Sequence, residues 1–431
     1  MTNDVAVSRG VLAAALFWAL LYTAFLAFST ARIRHANSDD VIFDAGSASG
    51  TLWRDSAVWA RDQGRFYIPV ACSVPIAFFR ISNAIALASA RALLVLADAG
   101  VVGFFFGRLF KSAPLGLLVG TLCLLLLQIP LGFYGVLSSP QIGVGFILTF
   151  FTMERLMADR GRSPSSGVVV VAALGAGCMN ESFVAPILLA SATVLIGGRG
   201  HRRAAVAAAG ALLGYVFVYV LFRYRWPSHY EGAQFVLEPW DTVRAVALNV
   251  VATFPGVELL LNRHGFQGGP LIKAPSDIRN AFAGLTWGAV CLLVSGVPLA
   301  LALARECAGS LRSACDATLC LALFVIGVSF LVPCCLTLTY QQWSYQRQFP
   351  YFYAMGTWFV LLGLGAVSAR AAFRWLAGRG SRWRTAAWGV LAASLAVSAI
   401  CVWASNSQVI RILERSPYPI SDSVYRDAVG R

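Results

Sequence analysis

The stretch that decides the fold is Val11–Ser29, VLAAALFWALLYTAFLAFS, followed closely by Asn37-Ser38-Asp39-Asp40. The first part carries no charge and is as long as a helix needs to cross the hydrocarbon core of a bilayer, about 20 apolar residues. The chain then returns to water with two adjacent carboxylates and a polar segment, Gly50 to Tyr67. Runs like the first recur along the whole sequence. Of its 431 residues, 58% are hydrophobic and only 13% charged, with a mean hydropathy of +0.69. A soluble chain carries about 25% charged residues. The expected fold class is therefore an all-α polytopic membrane protein.

Working outward from the first run, the predicted apolar segments are about 11–29, 88–110, 115–134, 141–157, 167–179, 183–196, 204–222, 282–304, 314–337, 350–369 and 385–404. That makes about eleven transmembrane segments, within a range of 9–12. The first is read as an uncleaved span, because no small-residue cleavage site follows it. The pair 167–179 and 183–196 is short for two full crossings and reads as a helical hairpin with its tip at Asn180-Glu181. Residues 68–85 are apolar but broken by Pro69, Pro75 and Arg80, and read as interfacial or re-entrant. The whole chain, 1–431, is one integral membrane domain. It has a first external loop at 31–87, a second at 223–281 and an external tail at 405–431.

Both long loops are expected to carry interfacial helices. In the first, Leu52, Trp53, Ser56, Trp59 and Ala60 fall near one side of a helical wheel, and Arg54, Asp55, Arg61, Asp62 and Arg65 near the other. That division suits a helix lying in the membrane interface. In the second, Val243–Leu261 reads as a helix on the membrane, interrupted by Pro255 and Glu258.

The net charge of +14 comes from basic residues that mostly flank apolar runs. This is the pattern that anchors and orients membrane proteins, and no nucleic-acid-binding signature accompanies it. Arg108/Lys111, Arg155/Arg160/Arg162, Arg199/Arg202/Arg203, Arg305/Arg312 and the cluster from Arg370 to Arg384 all fall on one side of the predicted topology. Short basic loops stay cytoplasmic. The N-terminus is then cytoplasmic, and the Asp39-Asp40 loop, Glu181, residues 223–281, the 338–349 loop and the C-terminus are extracytoplasmic. Of the ten cysteines, Cys123, Cys178, Cys291, Cys320, Cys334, Cys335 and Cys401 lie in predicted spans, and no CxxC pair occurs. They read as small apolar side chains rather than as a disulfide or metal framework.

Three places could carry chemistry. Adjacent carboxylates in an extended loop point in different directions. One of Asp39 and Asp40 could act as general base while the other orients it or holds a metal; a solvated turn has the same composition. Glu181, between two apolar helical segments, is costly unless it faces water, a partner or a substrate; a plain polar turn is the alternative. Tyr340 to Gln348 interleaves Gln342, Trp343, Tyr345 and Gln346 with Arg347. Aromatic faces stack on sugar rings, amides bond their hydroxyls, and a guanidinium matches phosphate oxygens. An interfacial belt of Trp and Tyr looks the same in sequence. Arg91 and Asp98, seven apart in the second span, could face a polar cavity, or Arg91 could snorkel to the interface. His229 and His264 have no metal spacing.

Taken together, a first span, an external Asp-Asp pair and an aromatic-basic amphipathic segment resemble the polytopic GT-C glycosyltransferases. Trp59-Ala60-Arg61-Asp62-Gln63-Gly64-Arg65-Phe66-Tyr67 is similar to the W…GR(F/W) segment of bacterial members that glucosylate surface polysaccharide. Asn180-Glu181-Ser182-Phe183 looks like their mid-chain turn, and Arg347 like their late-loop arginine. The resemblance implies inverting transfer of a sugar from a polyprenyl-phosphate donor to a cell-surface glycan or lipid acceptor, at the outer face of a bacterial inner membrane. It implies a base at Asp39 or Asp40, with Asp40 slightly preferred by position, and it implies Arg347 and Arg65 at the departing lipid phosphate. A divalent cation, Mg or Mn, at the Asp pair is permitted and not required. The large soluble C-terminal domain of some relatives is absent, so acceptor recognition would fall to 223–281 and the membrane loops. Two other classes fit the same topology: an O-antigen-type polymerase or ligase working through loop arginines, and a lipid-linked sugar transporter or flippase.

Overall fold

The structure is a computed structural model. It describes residues 7–36, 38–129, 139–158, 164–198, 200–228, 234–236, 238–260, 262–263, 272, 275, 277–309, 317–331, 335–345, 348–349, 351–377 and 380–415. The chain is all-α apart from a single parallel pairing among the described residues. There β1 (Asn262–Arg263) lies beside β2 (Gln348–Phe349).

The helices follow the apolar runs. They are α1 (Arg9–Thr30), α2 (Ser38–Ser49), α3 (Leu52–Asp62), α4 (Ile68–Phe79), α5 (Ala84–Leu109), α6 (Ala113–Leu125) and α7 (Pro140–Met157). After them come α8 (Ser166–Met179), α9 (Val184–Gly197), α10 (Arg202–Arg225), α11 (Pro239–Ala252) and α12 (Asp277–Phe282). The last five are α13 (Trp287–Gly309), α14 (Ala317–Ser329), α15 (Leu338–Tyr345), α16 (Tyr351–Ala377) and α17 (Ser381–Arg415). Polar side chains start several of them. Asn83 accepts from the Ala86 amide and Ser112 from the Leu115 amide, each satisfying a donor that the first helical turn leaves open.

Among the described residues, six helices are long and apolar enough to cross a membrane: α1, α5, α10, and the spanning parts of α13, α16 and α17. The other apolar helices are shorter, including α4, α6, α8 and α14. The segment expected at 115–134 stops as a helix at Leu125, and residues 126–129 leave the helical path. Their backbone groups are taken up by distant side chains. Trp403 Nε1 donates to the Leu125 carbonyl at 3.0 Å, and Asn406 Nδ2 donates to the Leu127 carbonyl at 2.7 Å. The Ile129 amide donates to Asn406 Oδ1 at 2.9 Å, and Gln128 Nε2 to the Thr253 carbonyl at 2.7 Å. Irregular backbone away from water requires such partners. This also revises the expected tail at 405–431. The last helix continues to Arg415, and Ser405, Asn406 and Ser407 are buried; residues 416–431 lie outside the described residues.

Packing centres on α5, which contacts α1, α6 and α7. It meets α6 backbone to backbone: a Cβ on Gly103 would sit 2.5 Å from the Gly116 carbonyl oxygen. An aromatic cluster fills the middle. Phe146 of α7 lies 5.1 Å, centroid to centroid, from Phe183 at the start of α9 and 5.4 Å from Phe359 of α16. The two ends of the bundle differ in chemistry. At one end Arg108 faces Glu154, the His201 amide bonds the Leu156 carbonyl, and Ser8 bonds Glu306. Arg108 and Arg155, from two of the expected basic clusters, thus share one carboxylate. At the other end lie the 31–36 turn, α2, α3 and the strand pairing.

The loop expectations are partly revised there. The helix α3 forms with Leu52, Ser56 and Ala60 inward, as its pattern required, but Trp53 is exposed. The stretch Tyr340–Gln348, expected as a loop, begins as α15. Asn406→Leu is expected to strand the Leu127 carbonyl and the Ile129 amide and to lower stability by about 2–4 kcal/mol, as for two buried groups left unpaired. Thermal unfolding in detergent checks this, with the exposed Val390→Ala staying within about 0.5 kcal/mol of the parent.

Candidate functional site

Two polar clusters flank α4 at that second end. The first is built on the turn after α1. Arg91, buried in α5, donates from Nη1 to the Ile33 carbonyl at 2.8 Å and from Nη2 to the Arg34 carbonyl at 3.0 Å. Arg34 donates from Nε and Nη2 to the two carboxylate oxygens of Asp44, at 2.7 and 2.8 Å, and His35 Nε2 lies 2.8 Å from Asp44 Oδ2. Burial alone would raise the Asp44 carboxyl; the bonds from His35 and Arg34 outweigh it and hold the group at about 2.

The Asp pair sits in the first turn of α2, not in an extended loop. Helical spacing sends the two carboxylates different ways. Asp40 is fully buried; its Oδ2 accepts from the Ala36 amide at 2.8 Å, and its charge reaches Arg91. Its role is to close the turn. Asp39 keeps partial exposure and lies within electrostatic reach of Cys72 on α4. Burial, with the neighbouring Asp40 charge second, pushes Asp39 up to about 6. Position in the sequence favoured Asp40 as base. The geometry reverses that preference, because a carboxylate already bonded to backbone in a closed interior has no access to a substrate proton.

The second cluster begins at the end of α3. Gly64 adopts φ +62°, and a Cβ there would approach the Trp226 carbonyl oxygen to 2.9 Å. Only glycine fits this turn comfortably. It ends the helix and swings Arg65 off the polar face on which the wheel had placed it. Arg65 Nη2 donates to Glu181 Oε1 at 2.7 Å, and the Tyr67 hydroxyl donates to Glu181 Oε2. Glu181 is held where α8 gives way to α9: Asn180 Oδ1 accepts from the Ser182 amide and caps a single 3-10 turn, while Phe183 anchors in the core. The hairpin tip is therefore packed rather than open; the side chains of Arg65 and Glu181 keep 14% and 16% of their exposure.

Around this pair stand residues that the sequence did not single out. Arg223 donates to the Tyr219 hydroxyl at 3.0 Å and lies over the Phe235 ring at 4.6 Å. Phe66 packs against Tyr215 and Phe222. Arg223 had a signal: it lies one helical turn from Tyr219 on a run ending in alternating arginine and aromatic residues. Its proximity to Gly64 had none.

The two clusters share α4. Tyr67, at its start, reaches Glu181; Cys72, five residues on and about 7.5 Å of helical rise away, lies near Asp39. Of the expected third arm, Gln342 is exposed at the surface of α15, and its neighbour Gln341 is buried, bonded to the Val236 and Cys335 carbonyls. Arg347 lies outside the described residues, as do the side chains of Trp343 and Tyr345, and also His229 and His264.

Among the described residues, no group of three or more His, Cys, Asp and Glu side chains is placed to hold a metal ion. The Asp pair does not fit one either, since Asp40 is turned onto the Ala36 amide. No known protein family, curated protein or solved structure matches the chain.

Replacing Gly64 by Ala is expected to cost about 1–3 kcal/mol, the left-handed penalty plus the clash, readable as a lower melting temperature. For Asp39 the folded value of about 6 lies above the ordinary 3.8. The folded state therefore binds the proton more tightly, and stability falls as pH rises through that interval. Asp39→Asn should be more stable than the parent at pH 7.5, by roughly 1–2 kcal/mol once partial exposure is discounted. The difference should vanish near pH 4. Denaturation of both proteins across that range checks the sign.

Proposed function

We propose that this chain is a membrane glycosyltransferase of GT-C type, with eleven apolar segments in the membrane and the α2–α4 end facing away from the cytoplasm. It moves a sugar from a polyprenyl-phosphate donor to a surface glycan or lipid acceptor. The observation that carries the reading is the pairing, on the two flanks of one helix, of a partly exposed carboxylate raised into the range of a general base with an arginine held by Glu181, which Tyr67 in turn bonds. Asp39 takes the proton of the acceptor hydroxyl as that oxygen bonds to the anomeric carbon. The bond from that carbon to the phosphate oxygen breaks with inversion, and the lipid phosphate leaves with the electron pair. Negative charge grows on that phosphate in the transition state, so a preoriented guanidinium at Arg65, with Arg223 beside it, acts selectively there. Glu181 orients Arg65 without touching the reacting atoms.

A specific observation favours a second reading, transport of a lipid-linked sugar. Asp98 in α5 is 1% exposed, and neither of its carboxyl oxygens has a hydrogen-bond partner. Such a group inside a span is commonly functional.

The test compares surface glycans and lipid-linked sugars by mass spectrometry, with and without the protein. Transfer predicts one glycan lacking one sugar unit and accumulation of the donor; no change in any glycan overturns it. Asp39→Asn should lower transfer by about 10²–10⁴-fold while Asp40→Asn acts mainly on stability. If Asp39→Asn keeps full transfer, a polymerase or ligase working through arginines takes its place. Movement of the lipid-linked sugar without a covalent product would support transport through Asp98.

A further inference from the structure

Asp98 stands near the middle of α5, about 21 Å of helix from Ala84 and about 17 Å from Leu109. On a spanning helix that is close to mid-depth in a hydrocarbon core about 30 Å thick. The residue is buried, and among the described residues neither of its carboxyl oxygens has a hydrogen-bond partner. Gly143 of α7 makes room for it. A Cβ there would stand 3.1 Å from Asp98 Oδ2 and 2.8 Å from the side chain of Leu94, one turn earlier on α5. Cys123 of α6, also buried, lies within electrostatic reach. The carboxyl therefore sits where α5, α6 and α7 meet, walled by Leu94, Gly143 and Cys123.

These walls decide what the group can hold. An ionised carboxylate has no donor here to replace its hydration, and a charge buried without a partner is costly. Among the described residues of α1, α4, α6, α7 and α16, the helices packed on α5, no cation acts on it. Arg91, two turns earlier on α5, is committed to the Ile33 and Arg34 carbonyls and answers Asp40 and Asp44 instead. A metal ion needs several oxygen donors. Leu94, Gly143 and Cys123 bring no side-chain oxygen, and among the described residues no metal-holding group of His, Cys, Asp and Glu forms. A proton needs only the carboxylate itself.

We propose that Asp98 is a proton-binding site at the centre of the membrane, occupied as the carboxylic acid while α5, α6 and α7 stay packed. Carboxyls at such depth that face the bundle interior commonly serve proton relays. The assignment stands apart from both readings of function above, because its readouts involve no sugar. It also makes Asp98 a modification site for a lipid-soluble carbodiimide. The cavity of about 1030 Å³ between α1, α5 and α6 is lined by Leu96, Ala99 and Gly100, on either side of Asp98 along the chain, and brings an apolar reagent close. The acid gives its proton to one carbodiimide nitrogen, and its carboxylate oxygen adds to the central carbon. The acyl group then shifts from oxygen to nitrogen, leaving an N-acylurea with no atom lost.

The test uses the full chain in lipid membranes at about pH 8, where carboxyls in water, and Asp39 at about 6, are ionised. Infrared spectroscopy is expected to show the carbonyl band of a neutral carboxylic acid, lost in Asp98→Asn. Asparagine has the same shape and, like the acid, no charge, so the melting temperature should hold. Dicyclohexylcarbodiimide should form an adduct that tandem mass spectrometry of the parent protein maps to Asp98, which needs no variant. An acid band unchanged in Asp98→Asn overturns the proposal, as does the absence of an adduct at Asp98. Protection of Asp98 from the reagent by sodium ions also overturns it, since the occupant would then be a metal cation.

Discussion

A buried guanidinium, Arg91, holds the carbonyls of Ile33 and Arg34 and so fixes where the chain leaves α1. Nearly everything at that end depends on this contact. A turn between a long apolar helix and a polar one carries backbone carbonyls that have lost their helical partners, and leaving them unpaired out of water is costly. Arg91 satisfies them from a neighbouring helix, and the charge it brings is answered by Asp40 and Asp44 on one face of α2. Because that face is committed inward, Asp39 is left on the adjoining face, toward α4. The candidate base is thus a by-product of how the turn is neutralised.

The same demand recurs where α6 ends early. Residues 126–129 depart from the helix, and Trp403 and Asn406 take up the freed groups. The last helix is therefore more than a lipid-facing rod. Its spanning part is little buried, whereas its final turns enter the core. A helix that is apolar outside and polar at one buried end acts as a pin, joining the C-terminal part of the chain to an interruption almost 280 residues earlier.

The two ends of the bundle carry different kinds of polarity. One end pairs its charges closely, as Arg34 with Asp44 and Arg65 with Glu181, within a frame of tyrosines. That arrangement preorganises groups and suits chemistry on a bound substrate. The other end brings Arg108 and Arg155 to the buried Glu154, beside an apolar cavity between α1, α5 and α6. The glycine contact between α5 and α6 is central to the second. Close backbones at Gly103 and Gly116 leave room on the α1 side that larger residues would have filled.

Much of this was legible in the chain. Apolar runs marked where helices form, to within about two residues for α1, α7, α8 and α9, because a helix in lipid must satisfy its own backbone locally, and length and hydropathy are local properties. The exceptions had causes that a window average hides: α6 is ended by contacts with the distant Trp403 and Asn406, and Arg65 is redirected by the backbone of Gly64. The sequence also placed Glu181 at the turn between α8 and α9, where it stands. What it could not decide was the commitment of each charged group. Asp39 and Asp40 are neighbours of the same chemistry, and only the Ala36 amide, Arg91 and the wall of α4 distinguish them. Arg65 and Glu181 stand 116 residues apart, and no pattern within either segment announces the other. Helix formation is fixed by adjacent residues; the state and partner of a charge are fixed by whatever the folded chain brings within a few ångströms of it.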